Sequence, residues 1–149
     1  MKIQLHSIIV PVYQSRASLE TLVKRISSVM NGAGITFELI LVDDGSRDDS
    51  FSEIKRLSSI HPFIRGFRLS RNFGHQAAVT VGLQQCLGEI VAVIDDDLQD
   101  PPEILPRFFE ELRKGTDVVY GVRKKRKENL LKRAVFSAFY RIINAVSNI

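Results

Sequence analysis

The chain has 149 residues, 44% apolar and 26% charged, a composition that fits one globular domain and excludes a disordered tail or a membrane bundle. Its net charge of +4 is unevenly spread: residues 121–149 carry eight basic residues and one acid, net +7, and residues 1–120 carry thirteen basic and sixteen acidic, net −3. The single cysteine, Cys86, excludes an internal disulfide and a zinc site built from several cysteines, and it reads as a buried helical residue.

In chain order, Met1-Lys2 followed by Ile3–Val12 resembles the start of a signal peptide. No small-residue cleavage site follows, and a strand over Ser7–Val12 explains the run better. Leu19, Leu22, Val23, Ile26, Val29 and Met30 recur at helical spacing, and Asn31-Gly32 with Gly34 stops that helix. Phe37–Val42 is the next strand, Phe51–Ile60 a helix with Ile54 and Leu57 inward, and Phe63–Leu69 a third strand. Gln76–Leu87 reads as a helix and Ile90–Ile94 as a strand apolar enough to be covered on both faces. Asp100-Pro101-Pro102-Glu103 then predicts a capped helix start: Asp100 caps, Pro101 takes the first position, and Glu103 reaches back. Ile104, Leu105, Phe108, Phe109 and Leu112 give that helix its apolar face, with Phe108-Phe109 as core, and Val118–Tyr120 is a last short strand.

The order βαβαβαβαβ predicts an α/β fold with an open, mostly parallel sheet. Ligands in such sheets bind outside the carboxyl ends of the strands. Two apolar strands end there in acid, at Asp43-Asp44 and at Asp95-Asp96-Asp97. Clustered carboxylates repel one another unless a cation or donor sits among them. A hard divalent ion, Mg²⁺ or Mn²⁺, gripping a phosphate ester suits that chemistry. Two classes use such a site: a receiver-type phosphoacceptor domain, and a transferase taking a metal-bound nucleotide diphosphate. The first needs a lysine after a late strand, and Lys124 lies inside a basic run. Among the other polar residues, His6 and His61 read as structural and His75 as a loop or helix-start residue; Gly45 and Gly74 alone read as turn residues.

Four blocks occur in sequence: Ile8-Ile9-Val10-Pro11-Val12-Tyr13; Val42-Asp43-Asp44-Gly45-Ser46 with Asp48 and Ser50; Arg71-Asn72-Phe73-Gly74; and Asp95 through Glu103. Together they resemble glycosyltransferase family 2 of the GT-A fold, within it the polyprenyl-phosphate (bactoprenol or dolichol phosphate) sugar transferases, over essentially the whole chain. The resemblance implies a nucleobase pocket lined by Pro11, Val12 and Tyr13, with Asp43 accepting a hydrogen bond from the base. It implies Asp44 and Ser46 in the nucleotide site, Arg71 near the diphosphate, Asp95 near the ribose, and Asp97 with Gln99 holding the metal. Gly121-Val122-Arg123 resembles the family's Gly-Ser-Arg, whose arginine approaches the acceptor phosphate, and Arg133 with Ser137 matches an Arg-x-x-x-Ser pair of that region. Catalysis would then rest on Asp97 and Arg123. The chain departs from the pattern at Gln14-Ser15, where many members have Asn-Glu, and at Asp96, often Ala in relatives.

The implied reaction is metal-dependent, inverting transfer of a hexose, UDP-glucose favoured as donor, to a polyprenyl phosphate. Residues 1–121 are expected to form the nucleotide-sugar core, and 122–149 a basic amphipathic acceptor and membrane-surface segment, incomplete at its C-terminus. Leu131, Val135, Ala138, Phe139, Ile142 and Val146 follow a helical period, which suits either a helix packed on its own domain or an amphipathic helix that adsorbs to an anionic membrane at its cytoplasmic face, or self-associates through residues 131–146. No aromatics interleave the basic run, which argues against nucleic acid. Because the family continues beyond such a segment, the 149 residues alone are expected to bind nucleotide and to transfer sugar weakly or not at all.

Overall fold

Two apolar stretches with hardly a polar interruption form the middle of the sheet. In the computed structural model, which describes residues 4–122, every residue of β1 (His6–Val12) and of β2 (Phe37–Asp43) is buried. With β3 (Ile64–Arg68) and β4 (Ile90–Val93) they make one four-stranded parallel sheet in the order β3-β2-β1-β4. The chain divides after Val119, and of the second unit, Tyr120–Ile149, the described residues are Tyr120, Gly121 and Val122. The expectations for residues 123–149, among them Arg123, Arg133, Ser137 and the amphipathic period of 131–146, lie outside the described residues.

Alternation along the central strands decides which helix covers which face. Ile8, Val10, Val12, Leu39 and Leu41 join the buried stripes of α1 (Arg16–Gly32), α2 (Ser50–Ile60) and α4 (Leu105–Arg113) in one core cluster. Ile9, Ile40 and Val42 face the other way and meet Ala78 of α3 (His75–Gln85). Gly82 lets α3 approach so closely that an added Cβ would collide with Ile9. None of these helices carries a side-chain N-cap hydrogen bond. Such a cap is worth about 1 kcal/mol, whereas each fully buried Leu or Ile contributes roughly 1.5–3 kcal/mol. Packing, not capping, therefore holds the helices.

Five expectations are corrected. The helix after Asp100 begins one residue late, as a 3-10 turn over Pro102–Ile104 that leads into α4. A residue before proline is kept extended; Pro101, with ψ 118°, precedes Pro102, so Pro101 becomes the cap in place of Asp100. Glu103 takes a two-pronged bond from Arg25 of α1, 3.1 and 2.7 Å. Second, α3 stops at Gln85 because the next amides are captured elsewhere. Leu87 N–H donates to Glu38, and Gly88 N–H donates to Ser7 Oγ at 2.8 Å. Cys86 is thus an extended, half-buried cap, its thiol 3.0 Å from Leu83 O. Third, β4 is an edge strand among the described residues and only half-covered, with Val93 46% exposed. Fourth, Val118–Tyr120 forms no strand: the run is short, and Val118 is 76% exposed. Fifth, Phe109 is core and stacks on His6 at 4.7 Å, but Phe108 is half-buried.

The N-terminal ends of the strands are tied by one buried network. Glu38 accepts from the Ser7 hydroxyl at 2.6 Å, from Leu87 N–H, and from Arg65 Nη1 at 2.9 Å, which also donates to Gln85 O at 2.7 Å. Burial pushes the Glu38 carboxyl up, but the bonds from Ser7, Leu87 and Arg65 outweigh it, and the net shift is downward. A carboxylate with a lowered folded-state value contributes stability above its unfolded value of about 4.3, and loses it as pH falls through the folded value. Glu38→Gln should therefore cost about 2 kcal/mol at pH 7, from a buried charged hydrogen bond lost. The variant should also show a shallower loss of stability than wild type as pH falls below about 4.3; urea melts across pH 3–7 would check both.

Candidate functional site

The strand order reverses at β1, which has β2 on one side and β4 on the other, and such reversals open a crevice at the carboxyl ends. The two ladders on β1 differ in length. β1 pairs with β2 from His6 through Val12, but with β4 only from His6 through Ile9. Three residues of strand, about 10 Å at 3.3 Å each, are left without a β4 neighbour. A cavity of about 320 Å³ lies at this end. Its walls are Pro11, Val12 and Tyr13 from β1, Asp44 after β2, Asn72, Gly74 and His75 at the start of α3, and Asp95–Asp97 after β4.

The turn after β2 is built from its own acids. Asp43 is fully buried. Its Oδ1 accepts from Ser46 N–H at 3.1 Å, and its Oδ2 pairs with Arg68 Nε at 3.1 Å without hydrogen-bond alignment. Asp44 spreads its two oxygens over Phe73 N–H and Gly74 N–H, 2.8 and 2.9 Å, and so fixes the loop ahead of α3. Between them Gly45 adopts φ +66°, and an added Cβ would press on the Arg71 and Asn72 backbone, 2.6 Å from Asn72 N. The two loops touch backbone to backbone there, which only glycine permits.

Two hydroxyls hold the chain after β1. Ser46 Oγ accepts from Gln14 N–H at 2.9 Å, and Ser50 Oγ accepts from Ser15 N–H at 3.0 Å. Ser50 in turn donates to Asp48 at 2.6 Å. Burial pushes the Asp48 carboxyl up, but the Ser50 hydroxyl and N–H and the Arg16 N–H outweigh it, so Asp48 lies below the ordinary carboxylate range.

After β4 the chain turns on Asp97, whose Oδ1 accepts from Gln99 N–H at 2.9 Å, with Leu98 in the left-handed region at φ 60°. Asp96 Oδ2 accepts from Tyr13 N–H at 3.1 Å. Asp95, Asp96 and Asp97 all line the same cavity. A hard divalent ion that keeps water and diphosphate oxygens needs one or two such carboxylates, so the donor set fits Mg²⁺ or Mn²⁺. Among the described residues, no group of three or more His, Cys, Asp or Glu could by itself hold a metal ion.

Of the residues predicted from sequence, Pro11, Val12, Tyr13, Asp44, Asp95 and Asp97 share the cavity. Asp43 and Ser46 are buried and outside its lining, and they shape the turn. Gln99 is exposed and outside the lining. Arg71 is exposed, its guanidinium 4.3 Å from the centre of the Phe73 ring. Sequence reading gave no site role to Asn72, Gly74 or His75. His75 is the first residue of α3, as expected, and that position also borders the cavity.

The profile of Glycosyl transferase family 2 matches residues 7–146. A Bacillus subtilis protein described as uncharacterized glycosyltransferase YkcC is 39% identical over 97% of this chain and 45% of its own length. An undecaprenyl-phosphate 4-deoxy-4-formamido-L-arabinose transferase of Pseudomonas savastanoi is 41% identical over 85% of this chain and 38% of its own. The chain spans less than half the length of these relatives. In structure it resembles glucosyl-3-phosphoglycerate synthase from Mycobacterium tuberculosis, solved with UDP (TM-score 0.65, 23% identity, 96% of this chain and 53% of that one). It also resembles the mannosyltransferase PcManGT from Pyrobaculum calidifontis, solved with GDP-Man and Mn²⁺ (TM-score 0.56, 24% identity, 64% of this chain and 32% of that one). At these identities the likeness establishes the fold, an α/β sheet of GT-A type.

The contact at Gly45 is testable without any ligand. Gly45→Ala combines a left-handed alanine with a backbone overlap, and should cost about 3 kcal/mol. Gly115→Ala gives the control: φ is +99° but nothing lies within 4 Å, so only the conformational penalty of about 1 kcal/mol remains. Urea denaturation of both variants would measure the difference.

Proposed function

The chain belongs to glycosyl transferase family 2, and we propose that its cavity binds a nucleotide diphosphate sugar whose hexose passes, with inversion, to a polyprenyl phosphate. The observation that carries this reading is the meeting of Tyr13, Asp44 and Asp95–Asp97 around one cavity at the reversal of strand order. UDP-glucose is the favoured donor. The undecaprenyl-phosphate transferase among the relatives supports a lipid phosphate as acceptor.

In this reading Pro11, Val12 and Tyr13 receive the nucleobase, and Asp43 accepts a hydrogen bond from it. Asp43 Oδ2 is ion-paired with Arg68 but takes no aligned hydrogen bond, which leaves it able to accept one. Asp44 and Ser46 keep the turn in shape, Asp95 takes the ribose, and Arg71 stands toward the diphosphate. Asp97 with Gln99 would hold Mg²⁺ or Mn²⁺, which when bound neutralises charge on the departing diphosphate.

The bond that breaks joins the anomeric carbon to the diphosphate oxygen, and the bond that forms joins that carbon to an oxygen of the lipid phosphate. That phosphate is already anionic, so the protein's work is positioning rather than proton removal. Arg123, Arg133 and Ser137 are proposed to hold it. A lipid acceptor sets the reaction at a membrane surface, proposed as the cytoplasmic face, where the basic run of residues 123–127 meets anionic headgroups. Among the described residues no helix is long and apolar enough to cross a membrane.

Calorimetric titration of UDP and GDP, with and without Mn²⁺, tests the reading. Nucleotide should bind in the presence of metal, and Asp97→Ala should weaken it about tenfold or more. Equal affinity with and without metal, in wild type and variant alike, would sink it.

A further inference from the structure

We infer that Asp96 is a positioning residue: it latches the end of β1 to the end of β4 and so holds the two walls of the nucleotide cavity in register. The inference rests on the reading of that cavity as a nucleotide-sugar site.

The geometry is that of a mouth bridged beyond its hinge. The ladder between β1 and β4 ends at Ile9 and Val93, with one more bond from Ile94 N–H to Ile9 O at 3.0 Å. Past that point β1 follows β2, and Asp44 N–H donates to Val12 O at 2.8 Å. Tyr13 therefore leaves the strand attached on the β2 side, while Asp95–Asp97 leave β4 on the other. The Asp96 carboxylate crosses the gap to Tyr13 N–H, a hydrogen bond between residues 83 apart in sequence. Asp97 is turned by its own local bond to Gln99 N–H, with Leu98 strained at φ 60°, so among the three acids the bond across the gap is made by Asp96. In that reading Tyr13 is on the nucleobase side, Asp95 at the ribose and Asp97 on the diphosphate side. A ligand that spans both gains from their being fixed at the right separation before it arrives.

The latch is a hydrogen bond, not a charge, and that separates it from a metal ligand or an electrostatic role. An asparagine Oδ1 accepts the same N–H. D96N should keep the Tyr13 amide protected from hydrogen exchange and keep affinity for the nucleoside diphosphate within about threefold of wild type; D96A should lose the protection and bind about tenfold more weakly. The probe is UDP or GDP with Mn²⁺, whichever nucleotide the wild-type chain binds, titrated calorimetrically; amide exchange is read residue by residue by NMR. D96S, polar but too short to span the gap, replaces D96A if that variant does not fold. Affinity lost equally in D96N and D96A, or Tyr13 protection unchanged in D96A, would overturn the latch. If wild type binds neither nucleotide, the functional reading fails, and the Tyr13 amide still reports whether the bridge exists.

Discussion

The ladder between β1 and β2 runs three residues past the point where the ladder between β1 and β4 has stopped, and the cavity depends on that difference. Parallel strands of equal overlap would close the crevice with backbone hydrogen bonds. Here β4 is only four residues long and ends at Val93, so the chain beyond it is free to turn away as an acidic loop. The β1 and β4 walls of the cavity follow from this. Pro11 and Val12 line it although they still belong to a strand, because their β4-side neighbours are missing.

The two ends of the sheet are built differently, and the contrast matches their roles. At the N-terminal end, Glu38, Ser7 and Arg65 close a buried network around strand starts. A buried carboxylate satisfied on every side resists rearrangement, since each lost partner would leave a charge unpaired. At the C-terminal end backbone N–H groups donate to carboxylates or a hydroxyl: Ser46 to Asp43, Phe73 and Gly74 to Asp44, Gln14 to Ser46, Tyr13 to Asp96. Side chains there hold loops in place of a ladder. Such loops are precise enough to define a pocket and leave backbone and carboxylates facing it.

The acids of this end also explain the charge asymmetry. Residues 1–120 are net acidic although the whole chain is basic, and five of those acids stand at the ends of β2 and β4. Asp43 and Asp44 are taken up by Arg68 and by amides, so their charge is answered within the fold. Asp95 and Asp97 line the cavity, where a cation from solution would suit their charge.

What the sequence by itself determined was whatever depends on near neighbours. Alternating and continuous apolar runs placed all four strands, and the period of Leu19 to Met30 placed α1. The acids after Val42 and Ile94 marked the carboxyl ends where the cavity opens, and the motif blocks named the family that the profile match bears out. Tertiary structure decided the partners. Glu103 met Arg25, 78 residues away; Cys86 fell out of its helix because Glu38 and Ser7 claimed the amides beyond it. Arg71 stacked on Phe73 outside the cavity lining, and Asp96, one acid among three in a row, was the one that reached Tyr13. Periodicity and spacing report which face or turn a residue occupies. A carboxylate chooses among donors brought together only when the strands have taken their order, and that order, β3-β2-β1-β4 with β4 at an edge among the described residues, is set by which apolar surfaces bury one another across the whole chain.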